Sequence, residues 1–462
     1  MDKFIEYCKN GHLVLAKELY NLGGIDININ EDYAFRYSCC NGHLEIVQWL
    51  YSLNNVNIHS FDDEAFRMSC SNGHCEIAKW LYGLGEINIH SIDDDAFRMS
   101  CSNGHCEIAK WLYSLGGVNI HATMEYAFRY SCLNGHIEIA KWLYSLGGID
   151  IHVNKEDAFI YSCLKGHIEI AKWLYSLGGI DIHSDKENAF IYSCQKGHLD
   201  IAKWLYSLGE IDIHAKCDDA FAYSCIHNHI DTAQWLYSLG GVNIYVDDDF
   251  IFKHSCLNGH IDIAKWLYSL GGIDIHADCD CAFTNSCQNG HMCLAQWLYS
   301  LGGIDIHAVD DYAFRYSCQN NHINIAQWLY SLGEIDIYAF DDDAFISSCV
   351  NGHIEVAQWL CTLTDKYIII NEKTCEYEII KHQTLLIKNL TNPEQNFSVV
   401  HIDENCIICL SEEQYMIQLE CKHIYCCACL KHYLELENTK CCYCQKVINE
   451  NSDKHLIYTK NQ

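Results

Sequence analysis

The sequence is poor in basic residues and has no long apolar run. It carries 30 Lys and Arg against 61 Asp and Glu, a formal net charge of -31. This balance argues against general binding to nucleic-acid phosphates or anionic membranes and favours partners with basic surfaces. No stretch reaches the length and hydropathy of a membrane span, and the start, MDKFIEYCKNGH, lacks the features of a signal peptide. We therefore expect a soluble, intracellular protein.

Proline is nearly absent, with Pro393 alone, whereas cysteine occurs 30 times. Disulfide frameworks are typical of secreted chains that are too short to build a core. This chain has 462 residues, of which 50% are apolar, so we interpret its cysteines as reduced thiols and metal ligands. The low proline content, together with frequent Ile, Asn, Lys and Tyr, suggests an AT-rich genome.

A unit of 31 residues recurs twelve times between residues 1 and 374. The pair Ala34 and Phe35 returns at this interval as far as Ala344 and Phe345, and only Ile251 replaces the alanine. All 11 tryptophans fall at one position of the unit. A fixed period of this length predicts a solenoid, because one unit cannot bury its apolar face alone.

Each unit has the pattern of two short helices. In the fourth unit, NG at 103–104 separates the helices and GG at 116–117 ends the second. Ile108, Trp111 and Leu112 recur at helical spacing and form an apolar face. We expect this face to pack between neighbouring units.

Together these motifs resemble ankyrin repeats. SCxNGH, IEIAKWLYSLG and GIDIH match, in order, the family's A-A-x-x-G-H turn, apolar second helix and G-A-D-V-N segment. The resemblance implies a mainly α, ankyrin-like helical solenoid over residues 1–374 that binds a protein target. The period differs from the family's, and DAFR or EAFR replaces T-P-L-H with no glycine in the hairpin that would follow. The sequence therefore leaves the projecting β-hairpin open.

Cysteine and histidine recur four residues apart in every unit, as Cys39 and His43 do. Metal binding is one interpretation of this pair. We favour a structural one, in which the cysteine packs as a small apolar residue and the histidine satisfies backbone groups near a helix start. The His59 series is interpreted in the same way.

Four arginines follow the Ala-Phe pair in successive units: Arg36, Arg67, Arg98 and Arg129. If the units stack roughly 10 Å apart, these side chains form a row that would bind an acidic segment of a target. The alternative, given equal weight, is pairing with the acidic loops at 61–64 and 93–95. No catalytic constellation occurs in the repeats.

Residues 375–400 are expected to cover the last unit and to form a linker, and residues 451–462 a C-terminal tail. Between them, four ligand pairs occur: Cys406 and Cys409, Cys421 and His423, Cys426 and Cys429, Cys441 and Cys444. Two residues between cysteines bring both thiolates to one tetrahedral ion. Eight ligands therefore predict two structural zinc ions, although their number alone also permits another soft divalent ion.

Two further cysteines, Cys427 and Cys442, are interpreted as bystanders, because using either would spoil a two-residue spacing. A segment of this length with so little core should fold only when metal binds.

The order of the eight ligands over residues 401–450 resembles the RING finger. The resemblance implies interleaved sites, one formed by Cys406, Cys409, Cys426 and Cys429, the other by Cys421, His423, Cys441 and Cys444. Spacing alone would also permit sequential pairing. The family's usual activity is ubiquitin-protein ligation, in which the domain binds a ubiquitin-conjugating enzyme charged with ubiquitin and holds its thioester ready for attack. Such catalysis needs no nucleophile or general base from the chain.

The same resemblance implies contacts with the conjugating enzyme. Ile408 matches the apolar contact residue, and Tyr433 matches the family's usual tryptophan. Gln445 stands where active ligases often carry a cation, with Lys446 beside it, and Cys442 replaces a common proline. The alternative for Ile408 and Tyr433 is packing around zinc.

We therefore predict a RING-type ubiquitin-protein ligase whose solenoid recruits an unknown protein target. The alternative is a non-enzymatic adaptor with a structural zinc module. Nucleic-acid binding by the zinc segment is disfavoured, because residues 401–450 hold eight acidic and four basic side chains. The composition and the near-identical units are similar to those of large DNA viruses of protists, which implies the host cytoplasm. The sequence does not specify the target, the conjugating enzyme, the chain type or the oligomeric state.

Overall fold

The computed structural model forms two compact units, residues 1–246 and 247–462. The residues that it describes are 2–53, 56–245, 249–371, 373, 376–379, 399–401, 415–418, 424–426, 430–431 and 457–459. These residues contain 24 helices and six short strands. The mainly helical solenoid predicted from the period is thereby confirmed.

Each repeat contributes one helix pair, as the pattern predicts. The first helices are α1 Asp2–Lys9, α3 Ile29–Cys40, α5 Ser60–Ser71, α7 Ser91–Ser102, α9 Ala122–Leu133, α11 Val153–Leu164, α13 Ser184–Gln195, α15 Ala215–Ile226, α17 Phe250–Leu257, α19 Ala277–Gln288, α21 Ala308–Gln319 and α23 Ala339–Val350. The second helices are α2 Leu13–Asn21, α4 Leu44–Ser52, α6 Cys75–Gly83, α8 Cys106–Ser114, α10 Ile137–Ser145, α12 Ile168–Ser176, α14 Leu199–Ser207, α16 Ile230–Leu239, α18 Ile261–Ser269, α20 Met292–Ser300, α22 Ile323–Leu332 and α24 Ile354–Leu363.

Within each unit, every first helix packs against the first helix of the next repeat. The interior between them is built from the Ala-Phe pair and the cysteine that follows four residues later. Phe97 and Cys101 are fully buried, and so are Ile108 and Leu112 on the apolar face of the second helix. This burial explains the period, because each of these side chains needs the neighbouring repeat to exclude water.

Within each unit, the tryptophans of the second helices bridge to the preceding repeat. The ring centroid of Trp111 lies 6.2 Å from that of Phe66 and 5.6 Å from that of Tyr82, the latter in an edge-to-face arrangement. The Lys79 ammonium lies 5.9 Å from the Trp111 ring. Such aromatic pairs stabilise contacts by about 0.5–1.5 kcal/mol beyond the area that they bury. The tryptophan column is therefore part of the interface between repeats.

The glycine between the two helices allows close approach of the next repeat. Gly104 has φ +86°, and a Cβ there would lie 2.6 Å from Cε1 of His136. In most repeats, the histidine of this motif thus packs on the glycine of the repeat before it. This contact explains why glycine precedes histidine in most units.

No β-strand occurs within the described part of the repeats, so the hairpin that the sequence left open is not formed there. A short turn leads instead into each first helix. The first strands, β1 Tyr367–Asn371 and β2 Glu376–Ile379, form an antiparallel hairpin after α24.

This hairpin covers the last repeat. The ring of Tyr367 stacks on Phe345 with centroids 4.1 Å apart, and Tyr377 meets the same ring edge-on. The Lys366 ammonium lies 2.7 Å from both carboxylate oxygens of Asp342. A segment after the last helix therefore closes the stack.

A second sheet has the strand order β3-β6-β4-β5. Its strands are β3 Val399–His401, β4 Tyr415–Gln418, β5 Ile424–Cys426 and β6 Ile457–Thr459. β3 pairs with β6 in parallel, and β4 pairs antiparallel with both β5 and β6. Across the described residues, every helix is too short or too polar to cross a bilayer.

The contact between glycine and histidine predicts a difference between two glycine substitutions. Gly104→Ala should destabilise the chain by more than Gly116→Ala, because its Cβ displaces the His136 ring. Both positions have φ near +87°, at +86° and +88°, so each loses about 1–2 kcal/mol from backbone strain alone. The steric contact should add roughly 1–3 kcal/mol for Gly104→Ala.

Urea unfolding of the full chain, with amide hydrogen exchange of helices α7 to α10, measures both losses. Gly116 is the matched control, since no described heavy atom lies within 4 Å of its added Cβ. Equal losses in the two variants would contradict the close approach.

Candidate functional site

The turn that leads into the first helix is left-handed. In ten of these helices, three consecutive residues near the start have φ between +52° and +68°. In α5 they are Phe61, Asp62 and Asp63, and in α7 they are Ile92, Asp93 and Asp94. The left-handed region costs most L-residues about 1–2 kcal/mol each, so contacts outside the turn must hold it.

A buried carboxylate at the third turn position is one such contact. The column consists of Asp32, Asp63, Asp94, Glu125, Glu156, Glu187, Asp218, Asp249, Asp280, Asp311 and Asp342, all at most 9% exposed. In eight repeats one oxygen lies 2.6–2.8 Å from Nδ1 of the histidine four residues earlier. The His59 series is therefore structural, as predicted.

Where the residue is an aspartate, its second oxygen bonds the following repeat in most cases. Asp63 accepts the backbone N–H of Asn88 at 3.0 Å, and Asp94 accepts that of Asn119 at 2.9 Å. One carboxylate thus fixes its own turn and the turn of the next unit. At Asp63 and Asp94 the charged group is retained at a buried position because both oxygens are satisfied.

Four carboxylates leave one buried oxygen without a partner among the described residues: Asp32, Glu125, Glu156 and Glu187. Asn28 stands before Asp32 at the position that other repeats give to histidine, so the usual Nδ1 donor is missing there. Burial raises the pKa of Asp32 above its ordinary value. In the three glutamates, Oε1 keeps the histidine contact, at 2.7–2.8 Å.

The arginine row lies beneath these turns. Arg67 donates from Nε to the carbonyl of Asp62 at 2.9 Å and from Nη2 to the carbonyl of Phe61 at 3.0 Å. Its Nη1 donates to Asp95 of the next repeat at 2.7 Å. Arg129 makes the same pair with Asp157, at 2.9 Å.

The remaining members of the row are also paired. Arg36 is 8% exposed and bonds Glu64, and Arg98 is 9% exposed and lies 3.5 Å from Asp95. Glu64 and Asp95 belong to the acidic loops at 61–64 and 93–95, so the intramolecular pairing weighed from the sequence is present. Target binding by the arginine row stays a prediction. The four guanidinium groups already pair with carboxylates of the chain, so an acidic segment of a target would have to compete with these pairs.

The NGH histidines bond the repeat before them. Nε2 of His43 lies 2.8 Å from the carbonyl oxygen of Lys9, and Nε2 of His74 lies 2.9 Å from that of Cys40. Burial lowers the pKa of five members of this series: His105, His136, His167, His229 and His322. A neutral imidazole that completes a backbone hydrogen bond matches the structural interpretation.

The cysteines beside them are equally structural. Cys39 is fully buried, and burial raises the pKa of its thiol well above the ordinary value. Burial raises the pKa of Cys8 to about 12. A thiol in such surroundings stays protonated and is a poor metal ligand. Among the residues that the structure describes, no three His, Cys, Asp or Glu side chains come together as a metal site.

Most predicted zinc ligands lie outside the described residues. These are Cys406, Cys409, Cys421, His423, Cys429, Cys441 and Cys444. Cys426 ends β5, where its backbone pairs with Met416 of β4. The predicted contacts Ile408, Tyr433 and Gln445 also lie outside the described part of the chain.

The sequence analysis missed the left-handed turns and the apolar side chains on them. Phe61, Ile92 and Met124 occupy turn positions in three successive repeats and are 53%, 50% and 66% exposed. The available signal was the alignment of the repeats, which shows a constant acid two residues before Ala-Phe and variable residues ahead of it. Only the backbone shows that these variable residues are left-handed.

The two kinds of histidine predict opposite pH effects. Burial lowers the pKa of His136, so protonation disfavours the folded chain and His136 costs stability as the pH falls below about 6.5. The Glu187 hydrogen bond raises the pKa of His183, so its contribution is complete below about 6.5 and is lost as the pH rises through the folded value.

Urea midpoints of two variants at pH 5 and pH 8 separate these effects. Relative to wild type, the urea midpoint of His136→Gln should rise on going from pH 8 to pH 5, because the variant has no imidazole whose protonation disfavours the folded state. The urea midpoint of His183→Gln should fall relative to wild type over the same change in pH. Parallel pH dependence in the two variants would contradict the assignment.

Comparison with known proteins supports the fold. The family model described as ankyrin repeats (3 copies) matches residues 4–93, 68–155, 97–186, 128–217 and 190–279. No curated protein matches the chain. These matches cover residues 4–279 without a gap, more than half of the chain, and the structure continues the same helix pairs to Leu363. Ankyrin repeats bind protein partners, and this chain belongs to the ankyrin-repeat family.

Proposed function

We propose that the chain is a RING-type ubiquitin-protein ligase in which the repeats recruit a protein target and residues 401–450 recruit a charged ubiquitin-conjugating enzyme. The observation that carries the proposal is the spacing of the eight ligands, three C-x2-C pairs and one C-x-H pair in RING order. Packing cysteines have no reason to follow this spacing. The repeats contain no competing metal site among the described residues.

The strand pairing around Cys426 agrees with this proposal. β4 and β5 pair as Gln418 with Ile424 and as Met416 with Cys426. The five residues between Gln418 and Ile424 include Cys421 and His423. The antiparallel pairing therefore brings together the described residues on either side of Cys421 and His423.

The donor set fits zinc, since seven thiolates and one imidazole are the soft and borderline ligands that structural zinc prefers. In the interleaved arrangement, Cys406, Cys409, Cys426 and Cys429 would hold one ion. Cys421, His423, Cys441 and Cys444 would hold the other. When bound, the metal supplies the folding free energy that a small segment lacks.

The chain's own residues would then act by binding and positioning. Ile408 and Tyr433 would form an apolar contact with the conjugating enzyme, and Gln445 or the adjacent Lys446 would restrain ubiquitin. Target lysines bound to the repeats would meet the thioester at a raised effective concentration. Rate enhancement of this kind comes from proximity and orientation.

A non-enzymatic adaptor is the second candidate. Gln445 at the position of the usual cation and Cys442 at that of the usual proline favour it. In this case zinc folds an interaction module that binds no conjugating enzyme. The two candidates make the same prediction for zinc and different ones for ubiquitin transfer.

Metal analysis of the purified full chain tests the zinc sites. We expect two zinc ions per chain, and we expect Cys426→Ser to lose metal because three thiolates hold zinc less tightly than four. Cys427→Ser, at a predicted bystander, is the matched control and should retain both ions. Equal zinc content in the two variants would refute the ligand assignment.

In-vitro ubiquitination with a panel of conjugating enzymes tests the activity. Wild-type chain should form ubiquitin chains with at least one enzyme, and Ile408→Ala should reduce the rate about tenfold or more, since truncating a central apolar contact commonly costs that much affinity. Zinc content, measured in parallel, should stay at two ions. Absence of transfer with every enzyme, or an unchanged rate for the variant, would leave the adaptor as the function.

A further inference from the structure

Three successive turns carry residues that oppose their own backbone conformation. Ile92 has φ +53° and ψ +55°, Phe61 has φ +54° and ψ +52°, and Met124 has φ +54° and ψ +60°. Bulky and β-branched residues are rare in this region, whereas Asn and Asp enter it easily. Later repeats carry Asn154 and Asp185 at the position of Ile92. The first repeats thus accept a strain that a single substitution would relieve.

Burial within the chain does not offset this strain. The three side chains are 50–66% exposed. Phe61 gains one contact, since the Arg36 guanidinium lies 4.5 Å from its ring centre. Exposed apolar side chains on a strained backbone therefore cost stability, which indicates a role outside the folding of the repeats.

The three turns lie side by side. They begin α5, α7 and α9, which pack successively within the first unit. Arg67 links two of them, because it binds the carbonyl of Phe61 and the carboxylate of Asp95. Phe61 and Ile92 occupy the first turn position and Met124 the second, and we call these three residues the apolar turn row.

The charge beside the apolar turn row is negative. Asp62 and Asp93 occupy the second turn position and are exposed, whereas Lys155 and Lys186 occupy it in later repeats. The arginines beneath the row bond carbonyl and carboxylate groups of the chain itself, so their charges are already paired. The row therefore presents apolar groups next to carboxylates that have no ion-pair partner among the described residues.

We propose that the apolar turn row binds an extended, basic segment of the protein target, with apolar side chains about every third residue. Repeats spaced about 10 Å apart match three residues of an extended strand at about 3.3 Å each. Lysines or arginines of the segment pair with Asp62 and Asp93. This inference describes the protein target that the repeats would recruit, and it rests on the proposed function because that function supplies the target.

Other repeats of this chain carry different residues at the same turn positions, and these residues provide substitutions that the fold accepts. Ile92→Asn introduces the residue found at position 154 and removes the apolar group. Asp93→Lys introduces the residue found at position 155 and reverses the charge. Asp185→Asn is the matched control, since it changes the first turn position of a repeat outside the row.

A random peptide library displayed on phage, selected against the full-length chain, provides the probe. We expect enriched peptides to combine Lys or Arg with apolar residues about three positions apart. Their affinity should fall about tenfold or more for Ile92→Asn and for Asp93→Lys and stay unchanged for Asp185→Asn. Ile92→Asn should at the same time raise the urea midpoint, because it relieves backbone strain.

Enriched peptides that are acidic, or that bind both variants as tightly as wild type, would overturn the proposal. So would a library that yields no enriched peptide. A lower urea midpoint for Ile92→Asn would remove the strain argument on which the row depends. Zinc content and ubiquitin-chain formation of the wild-type protein are measured in separate assays. Loss of ligase activity would therefore be distinguished from loss of peptide binding by the apolar turn row.

Discussion

Polar backbone groups buried between repeats need partners, and each repeat supplies those of its predecessor. Ser38 donates from Oγ to the carbonyl of Cys8 at 3.1 Å, and His43 reaches the carbonyl of Lys9. In the reverse direction, Asp32 accepts the N–H of Asn57 at 3.2 Å. An unpaired buried group would cost about 1–3 kcal/mol, so these positions cannot vary without loss. The near-identity of the units follows from this requirement repeated along the chain.

Much of the variation between repeats falls at positions that this network does not use. The first two residues of each left-handed turn are free to change because the third, such as Asp94, and the arginine or isoleucine after Ala-Phe hold the turn. Arg98 bonds the turn carbonyls, whereas Ile160 and Ile191 at the same position are buried. The chain can therefore present Ile92 in one repeat and Asn154 in another on one scaffold. In the proposal made above, different side chains recognise the partner and stabilise the stack.

The two parts of the chain solve the stability problem by different physical means. The repeats bury Phe97, Cys101 and their equivalents against neighbours, so their stability increases with each added unit. The segment 401–450 is too short for a comparable core, and its eight ligands are suited to replacing that core with metal. Under the proposed function, the apolar stack would bind the target and the metal-dependent segment would present the conjugating enzyme.

The 31-residue period by itself determined the helix pairs, the buried Ala-Phe column and the closed end of the array, because helical spacing and burial repeat at fixed intervals in the chain. The ligand spacing of the zinc segment is equally explicit in the sequence. Only the tertiary structure decided that Phe61 and Ile92 lie in a left-handed turn, because their own preference opposes it. It also decided that Arg67 pairs with Asp95, 28 residues later. Both depend on contacts between repeats, and such contacts override local propensity only once the units are stacked.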